Sequence, residues 1–334
     1  MPALSPRRKQ QLRDLLLANL TLVATMLASF AGAALLYSFT ANALVLSAIP
    51  MLAATIGVTA VAVAVHPDVT CDALGLGGRT ISGAFWGALL GAAACALAVV
   101  ISISLDWAVW TPVDASLLRF DWRESRLAGL ALLSIGAMGE ELFMRGLLLQ
   151  FLARSVGPVA AIAATAIAFS LLHYGNPDFT EVALVNTALF GILFGLAVVR
   201  GRSLWLAFGL HLGWNFAQVA LGVNTSGITI RLTDLNFESR GAGWLAGGDY
   251  GLEGGVLATC MAVLLAGIVL ARPRWRGPER MFWEGPFEGR AETAGAADTM
   301  LGNLSGRGGD SGGAGEDGNA DGDTAHRAHS QPER

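Results

Sequence analysis

Residues 139–145, Gly-Glu-Glu-Leu-Phe-Met-Arg, place three ionisable side chains in the middle of an apolar stretch. From residue 127 to residue 151 the surrounding side chains are mainly leucine, alanine, isoleucine, phenylalanine and methionine, a composition typical of a helix that crosses a lipid bilayer. A charge at the centre of such a helix costs roughly 2.5 to 3.5 kcal/mol, so these side chains are expected to face protein or trapped water. The stretch therefore predicts a membrane-spanning bundle with a polar site inside it.

Helix geometry gives the two glutamates of this stretch different roles. Glu141 and Arg145 are four positions apart and are expected to pair along one helix face. Glu140 points about 100° away from that face and is poorly placed for the same arginine. A carboxylate held in a dry cavity without a full counter-charge suits the role of a general base. The alternative is an ion pair that serves helix packing, with a second acid that faces water.

The composition of the whole chain also indicates a membrane protein. Hydrophobic residues make up 53% of the 334 residues and charged residues only 14%, which is a poor fit to a soluble globular domain. The acids concentrate near the C-terminus and the arginines at the ends of apolar runs, so the net charge of -4 argues against a nucleic-acid partner. Cys71, Cys95 and Cys260 show no metal-ligand spacing.

Apolar runs along the sequence predict an all-α fold, a polytopic membrane helix bundle of about eight transmembrane helices. The spans are expected at residues 15–39, 43–65, 81–104, 127–151, 158–174, 181–199, 204–222 and 254–271. The bundle is expected to form one domain, residues 1–272, with the candidate catalytic motifs within 125–222. Residues 273–334 are rich in glycine and polar residues and are predicted to be a largely disordered cytoplasmic tail.

Two further features describe how this bundle is expected to pack. Gly83, Gly87 and Gly91 in the third span have the four-residue spacing of a close helix contact. The connection 223–255 is too long for a simple turn and is expected to cover one end of the bundle.

The distribution of lysine and arginine predicts the orientation of the chain in the membrane. If the N-terminus lies inside, the inner segments hold Arg7, Arg8, Lys9, Arg13, Arg79, Arg154, Arg200, Arg202, Arg272, Arg274, Arg276 and Arg280. The outer segments then hold Arg119, Arg123, Arg126, Arg231 and Arg240, spread over much longer loops. Because positive charges favour the cytoplasmic side, both termini are expected to be cytoplasmic. His173 then falls near the outer end of its span.

Two more motifs bring histidines into the predicted spans. Phe169 and His173 are four positions apart in the fifth span, and His211 and Asn215 are four positions apart in the seventh. Residues at this separation share a helix face, so His211 and Asn215 can converge on one point and Phe169 can stack beneath His173. Alone, each histidine is more often a hydrogen-bonded packing residue. Together with Glu140 they supply a base, an imidazole that can hold water and two oxyanion donors, the parts of a peptide hydrolase.

The three motifs together resemble those of a known family, the type II CAAX prenyl endopeptidases and their prokaryotic relatives, often called the CPBP or Abi family of intramembrane glutamic proteases. The EExxxR element is Glu140, Glu141 and Arg145; the FxxxH element is Phe169 and His173; the HxxxN element is His211 and Asn215. The order of the motifs and the intervals between them also resemble the family pattern. The resemblance covers residues 125–215.

The resemblance implies an activity and a role for each motif residue. Glu140 and His173 would activate a water molecule, and His211 and Asn215 would stabilise the oxyanion. Glu141, Arg145 and Phe169 would support them. The implied activity is that of an endopeptidase in a prokaryotic cell membrane, which acts without a cofactor on a peptide or protein. The resemblance does not identify this substrate, and a lipidated or membrane-anchored one is among the options.

Two other interpretations of the same residues stay open. In the first, Glu140, His173 and His211 form a zinc site of two histidines and one carboxylate, although the HExxH motif is absent and Asn215 would have no purpose. In the second, the chain is a non-catalytic membrane scaffold, a bacteriocin self-immunity protein or a transporter whose polar residues line a solute or proton path. The sequence shows no inverted repeat of the kind found in many transporters.

Overall fold

Long apolar helices make up most of the protein in the computed structural model, which describes residues 4–77, 81–113, 120–121, 123, 125–272, 278 and 280–285. The helices are α1 (Pro6–Tyr37), α2 (Ala43–Val65), α3 (Ser82–Ser104), α4 (Arg126–Glu141), α5 (Leu149–Val156), α6 (Pro158–Leu172), α7 (Glu181–Val199), α8 (Leu204–Ala220), α9 (Gly243–Ala246) and α10 (Val256–Ala271). The expected all-α character of the bundle is therefore confirmed, apart from four short strands at one end.

Helices occupy all eight positions at which the sequence predicts a membrane span. Within the part of the chain that the structure describes, five of these stretches are long and apolar enough to cross a bilayer: α1, α2, α3, the stretch Arg126–Val156 and α7. The other three, α6, α8 and α10, contain 15, 17 and 16 residues, fewer than the roughly 20 that a straight crossing needs. The chain is an integral membrane protein, and the number of eight spans stays a prediction.

One end of the bundle, here called the strand end, is marked by two pairs of short strands. β1 (Ala108–Pro112) pairs antiparallel with β4 (Leu235–Ser239), and β2 (Phe120–Asp121) pairs parallel with β3 (Ile230–Arg231). These strands belong to the connection between α3 and α4 and to the long connection after α8. The segment 223–255 therefore lies at this end, where backbone hydrogen bonds hold it to the connection between α3 and α4.

The other end, here called the termini end, carries the start of α1 and the short segment 280–285. The Phe282 amide donates to the Ala73 carbonyl at 2.9 Å, and Arg202 forms an ion pair with Glu284. Met281 and Phe282 are buried against the bundle. Residues 281–285, which the sequence analysis assigned to the tail, thus pack on the helices.

The contacts divide the chain into two units, Met1–Phe287 and Glu288–Arg334. The second unit lies outside the described residues, and so does most of the predicted tail, residues 273–277, 279 and 286–334. The disorder of this tail and the domain boundary at residue 272 stay predictions.

The helix that carries the first motif is interrupted just after Glu141. α4 passes into a π-helical segment, Leu142–Leu148, in which Gly146 has a ψ angle of -118°. The span expected at residues 127–151 is present as the stretch Arg126–Val156, but it is not one regular α-helix, because α4 and α5 are joined here by a wider turn. Such turns inside α-helices are frequent at functional sites, and glycine tolerates their unusual backbone angles.

Glycines bring α3 and α8 together backbone against backbone. A methyl group built on Gly87 would lie 2.6 Å from the Leu206 carbonyl oxygen, and one on Gly213 would lie 2.1 Å from the Ala88 carbonyl oxygen. Both distances are too short for a carbon atom to fit. The close helix contact predicted from the glycine spacing in α3 is confirmed, and it fixes the position of α8, the helix that bears the third motif.

Candidate active site

The three motifs lie around one cavity of about 630 Å³. Glu140 from α4, His173 at the end of α6, and His211 and Asn215 from α8 all line it. The other walls come from α1, α2, the length of α4, the start of the π-helical segment and the connection after α8. They are mainly apolar, with hydroxyl groups from Thr25 and other serine and threonine residues. A cavity of this size, apolar with a few convergent polar groups, has the character of a binding site.

Glu141 is the central acceptor of a buried charge network beneath this cavity. Its Oε1 accepts a hydrogen bond from Arg145 Nη1 at 3.3 Å and another from His211 Nδ1 at 2.9 Å. Because a carboxylate can only accept, Nδ1 of His211 carries the proton. The pairing of Glu141 with Arg145 that helix spacing predicted is present, whereas the contact with His211 was not anticipated.

Aromatic rings surround the buried Arg145 guanidinium. It lies 4.4 Å from the centre of the Phe169 ring and 5.3 Å from that of Phe194, and it donates to the Gly191 carbonyl at 3.2 Å. Phe194 in turn stacks on the His211 ring at 5.0 Å with an interplanar angle of 15°. A cation over an aromatic face is stabilised by about 2 kcal/mol when it is desolvated, so these rings support the burial of the charge.

Glu140 is arranged differently from its neighbour. Its side chain is 30% exposed toward the cavity, whereas the Glu141 side chain is fully buried. Glu140 Oε2 lies 3.7 Å from His211 Nε2, beyond hydrogen-bond distance, and makes no hydrogen bond to any residue in the described ranges. Of the two glutamates, Glu140 is thus the one that a bound molecule can reach.

His173 follows the last turn of α6, and its ring orientation is fixed by the backbone. Its Nδ1 lies 2.8 Å from the Phe169 carbonyl oxygen, so this nitrogen donates and Nε2 is left as the acceptor. The Phe169 ring meets the imidazole at 4.7 Å and 61°. The contact between the two rings was expected, but the expected stacking is wrong, because the rings meet edge to face.

A third carboxylate, Glu253, lies close to the site and was missed by the sequence analysis. Its Oε1 accepts from Trp214 Nε1 at 3.1 Å, and its Oε2 accepts from both the amide and the hydroxyl of Ser226 at 2.8 Å. The Ser226 carbonyl accepts in turn from Asn176 Nδ2 at 3.0 Å. Glu253 therefore ties α8, next to Asn215, to the loops that follow α6 and α8.

The signal that could have indicated Glu253 is its place in the sequence. It is the single acid in the stretch 251–255, Gly-Leu-Glu-Gly-Gly, directly before an apolar span. An acid at the entrance to a membrane helix is costly unless it is hydrogen-bonded, and here it accepts three hydrogen bonds.

Possible metal ligands give a separate result. In the ranges that the structure covers, no three His, Cys, Asp or Glu side chains are grouped in a way that could hold a metal ion. The zinc interpretation named Glu140, His173 and His211 as the ligands.

Comparison with protein-family models matches residues 122–217 to the family described as Type II CAAX prenyl endopeptidase Rce1-like. The matched segment begins just before α4 and ends two residues after Asn215, so it contains all three motifs. Comparisons with the curated proteins and with the solved structures gave no match. The family resemblance that the motifs indicated is confirmed by this match.

Proposed function

We propose that this chain, whose segment 122–217 matches a family of membrane peptidases, is an intramembrane endopeptidase that hydrolyses a peptide bond with an activated water molecule. The observation that carries the proposal is that Glu140, His173, His211 and Asn215 line one cavity although they come from three separate helices. Packing alone would bury such polar residues against each other. A carboxylate that faces an open cavity inside a membrane bundle instead has the placement of a reacting group.

In the proposed reaction, a water molecule is held between Glu140 and His173 Nε2. The Glu140 carboxylate accepts one proton of the water as the water oxygen attacks the carbonyl carbon of the substrate. The tetrahedral intermediate then collapses, the carbon–nitrogen bond breaks, and Glu140 passes its proton to the leaving amine nitrogen. One water is consumed, and a carboxyl and an amine terminus are formed.

Asn215 and His211 would stabilise the negative oxygen of the intermediate. The side-chain NH2 group of Asn215 can donate a hydrogen bond to this oxygen in its ordinary neutral form. His211 Nδ1 already donates to Glu141, so donation from Nε2 requires the imidazolium form. The carboxylates of Glu140 and Glu141 on either side of the ring supply the charge that compensates this form. Glu141 would thus orient the oxyanion donor as well as pair with Arg145.

The proposal is tested by comparing membranes that contain the native chain with membranes that contain Glu140→Gln. This substitution keeps the shape of the side chain and removes its basicity, so new peptide termini produced by the native chain should disappear. Glu181→Gln, on the exposed first turn of α7, is the matched control and should cleave like the native chain. Retained cleavage in Glu140→Gln would remove this residue as the base, whereas the absence of any new termini that depend on the native chain would put the non-catalytic scaffold in first place.

The same cleavage assay separates the glutamate mechanism from the zinc alternative. A glutamate mechanism predicts full activity after treatment with a metal chelator. Loss of activity in chelator that zinc alone restores would favour the zinc site.

A further inference from the structure

A second cavity, here called the small cavity, adjoins the cavity described above, here called the main cavity. The volume of the small cavity is about 20 Å³. The two cavities share a wall, because both are lined by Phe169, His173, His211, Asn215 and Ser226. A buried site needs about 10 to 15 Å³ to hold a water molecule, so the small cavity has room for one.

Each cavity has its own carboxylate, Glu140 in the main cavity and Glu253 in the small one. A carboxylate has about four acceptor positions, two on each oxygen. The amide and the hydroxyl of Ser226 fill both positions on Oε2 of Glu253, and the Trp214 indole takes one on Oε1. One position on Oε1 of Glu253 is therefore left for a further donor.

Most side-chain donors around the small cavity are already engaged. Trp214 and Ser226 donate to Glu253, and the Thr187 hydroxyl donates to the Ala183 carbonyl at 2.8 Å. Both histidines of the shared wall donate through Nδ1 to other acceptors. Among the described residues of this wall, the Asn215 amide is the group whose hydrogen bonds are still open.

Asn215 can present a different group to each cavity. Its side chain makes no hydrogen bond to any residue in the described part of the chain, and its amide carries a donor NH2 group and an acceptor oxygen. The reactive groups of the main cavity, the Glu140 carboxylate and Nε2 of His173, are acceptors and favour the NH2 group on their side. The Oδ1 atom of Asn215 then faces the small cavity, where it needs a donor.

Glu253 is a rigid acceptor for such a donor. Ser226 has a φ angle of 48°, a left-handed conformation that residues other than glycine seldom adopt. Backbone of this kind persists where its surroundings fix it, and Glu253 fixes it with the two hydrogen bonds at 2.8 Å. A side chain held in this way can define the orientation of a bound water molecule.

We infer that the small cavity is a binding site for one water molecule, which donates one hydrogen to Oε1 of Glu253 and the other to Oδ1 of Asn215. Glu253 is thereby a positioning residue. Through this water it holds the Asn215 amide with its NH2 group toward the main cavity, where the oxyanion forms. The effect on hydrolysis rests on the proposed function, whereas the water site rests on the geometry of the shared wall.

A structure of the native chain, at a resolution that shows buried water molecules, tests the site without any need for cleavage. The inference predicts one ordered water in the small cavity, within about 3.2 Å of both Oε1 of Glu253 and Oδ1 of Asn215. A small cavity without an ordered water, or a direct hydrogen bond between Asn215 and Glu253, would overturn it. Because this measurement does not depend on hydrolysis, its failure is distinct from a failure of the proposed function.

Filling the small cavity tests the positioning role while the hydrogen bonds of Glu253 stay intact. Thr187→Ile on α7 adds a methylene group and removes a hydroxyl at the cavity wall, so the water should be displaced. Oxyanion donors act in the transition state, so kcat should fall by about tenfold while KM is unchanged.

Thr165→Ile is the matched control. Thr165 is a buried threonine of α6 whose hydroxyl also donates to the carbonyl four residues earlier, and it lies outside the lining of both cavities. This variant should keep the native kcat per folded molecule. Equal losses in the two variants would assign the effect to overpacking, and an unchanged kcat in Thr187→Ile would show that Asn215 needs no water. Either result overturns the positioning role.

Glu253→Gln provides the same test if Thr187→Ile does not fold. The inference predicts a lower kcat at an unchanged KM, because only the transition state contains the oxyanion. A raised KM with the native kcat would overturn the positioning role.

Discussion

Two buried arginines in the helical stretch Arg126–Val156 each pair with an acid and lie beside an aromatic ring, but only one of them is next to the cavity. Arg145 pairs with Glu141 at 3.3 Å and lies 4.4 Å from the Phe169 ring centre. Arg154 pairs with Asp14 at 3.3 Å and lies 4.8 Å from the Phe282 ring centre. The first pair has a further carboxylate, Glu140, that lines the cavity. The second is packed at the termini end.

The difference shows which part of the first motif indicates function. An acid, an arginine and an aromatic ring are sufficient to bury a charge in this bundle, because the same set occurs at the termini end, away from the cavity. The pair of Glu141 and Arg145 is therefore no evidence of catalysis by itself. The evidence is the additional carboxylate of Glu140, which packing does not require.

Breaking the pair beside the cavity is expected to have the largest effect. Glu141→Gln leaves Arg145 buried without its counter-charge and gives His211 Nδ1 a neutral amide oxygen in place of a charged acceptor, so stability should fall by roughly 3 to 5 kcal/mol and cleavage should be lost. The measurement is thermal unfolding of the purified protein in detergent together with cleavage in membranes. Glu140→Gln, by contrast, should unfold nearly like the native chain.

A second substitution separates the two functions of Glu141. Adding Arg145→Met to Glu141→Gln removes the unpaired charge and should recover part of the stability, since buried ion pairs are often replaceable by apolar residues. Cleavage should stay low, because His211 still lacks the carboxylate charge that compensates its imidazolium form. If Glu141→Gln alone unfolds at the same temperature as the native chain, the charge network around Glu141 does not hold the helices together.

Breaking the pair of Arg154 and Asp14 at the termini end tests whether a buried ion pair away from the cavity affects stability alone. Asp14→Asn should also destabilise the protein, by about 3 kcal/mol, because Arg154 is buried as well. The effect is placed at the lower end of the range because Asp68 lies 4.0 Å from the same guanidinium. Cleavage per folded molecule is expected to match that of the native chain. A tenfold lower kcat/KM in Asp14→Asn would show that the two ends are coupled.

Glu253 is expected to have an intermediate effect. Glu253→Gln replaces one acceptor oxygen by an amide group that cannot accept from Trp214 or Ser226, at a cost of about 1 to 3 kcal/mol. Since these bonds position the loops around Asn215 and His173, kcat/KM should fall by about tenfold, equivalent to about 1.4 kcal/mol. Glu238→Gln, exposed at the same end, is the control. Equal kinetics for the two variants would leave Glu253 with a structural role only.

The smallest effect is expected from truncation of the chain after Arg290. The removed residues, 291–334, contain too few apolar side chains to offset the entropy cost of ordering them. The unfolding temperature and the cleavage rate should therefore be unchanged. Truncation after Arg272 is the contrasting variant, because it removes Phe282 from its contact with Phe151 and Arg154. If the variant truncated after Arg290 inserts into the membrane normally but no longer cleaves, the tail has a regulatory or docking role.

The parts of the site that depend on helix periodicity could be predicted from the sequence. Glu141 and Arg145 pair at a separation of four, and His211 and Asn215 line the same cavity from one helix. The apolar runs likewise gave helices at every expected position. These features depend on residues that are near neighbours in the chain, so the geometry of a single helix was sufficient.

The parts that depend on distant segments could not be predicted in this way. The bond between Glu141 and His211 joins residues 70 positions apart. Glu253 reaches the site because the connection after α8 folds back over the strand end. The π-helical turn at Leu142–Leu148 carries no periodic signal, since its apolar side chains also suit a regular α-helix.

The backbone contact between α3 and α8 has a consequence for how this protein tolerates change. Side chains in an ordinary core can adopt other rotamers and absorb an added methyl group, but two backbones in direct contact have no such freedom. The methyl group that Gly87 or Gly213 lacks would push α8, and His211 with it, out of register with Glu141. A complete mutational scan would thus find some of its least tolerant positions at residues that have no side chain and touch no substrate.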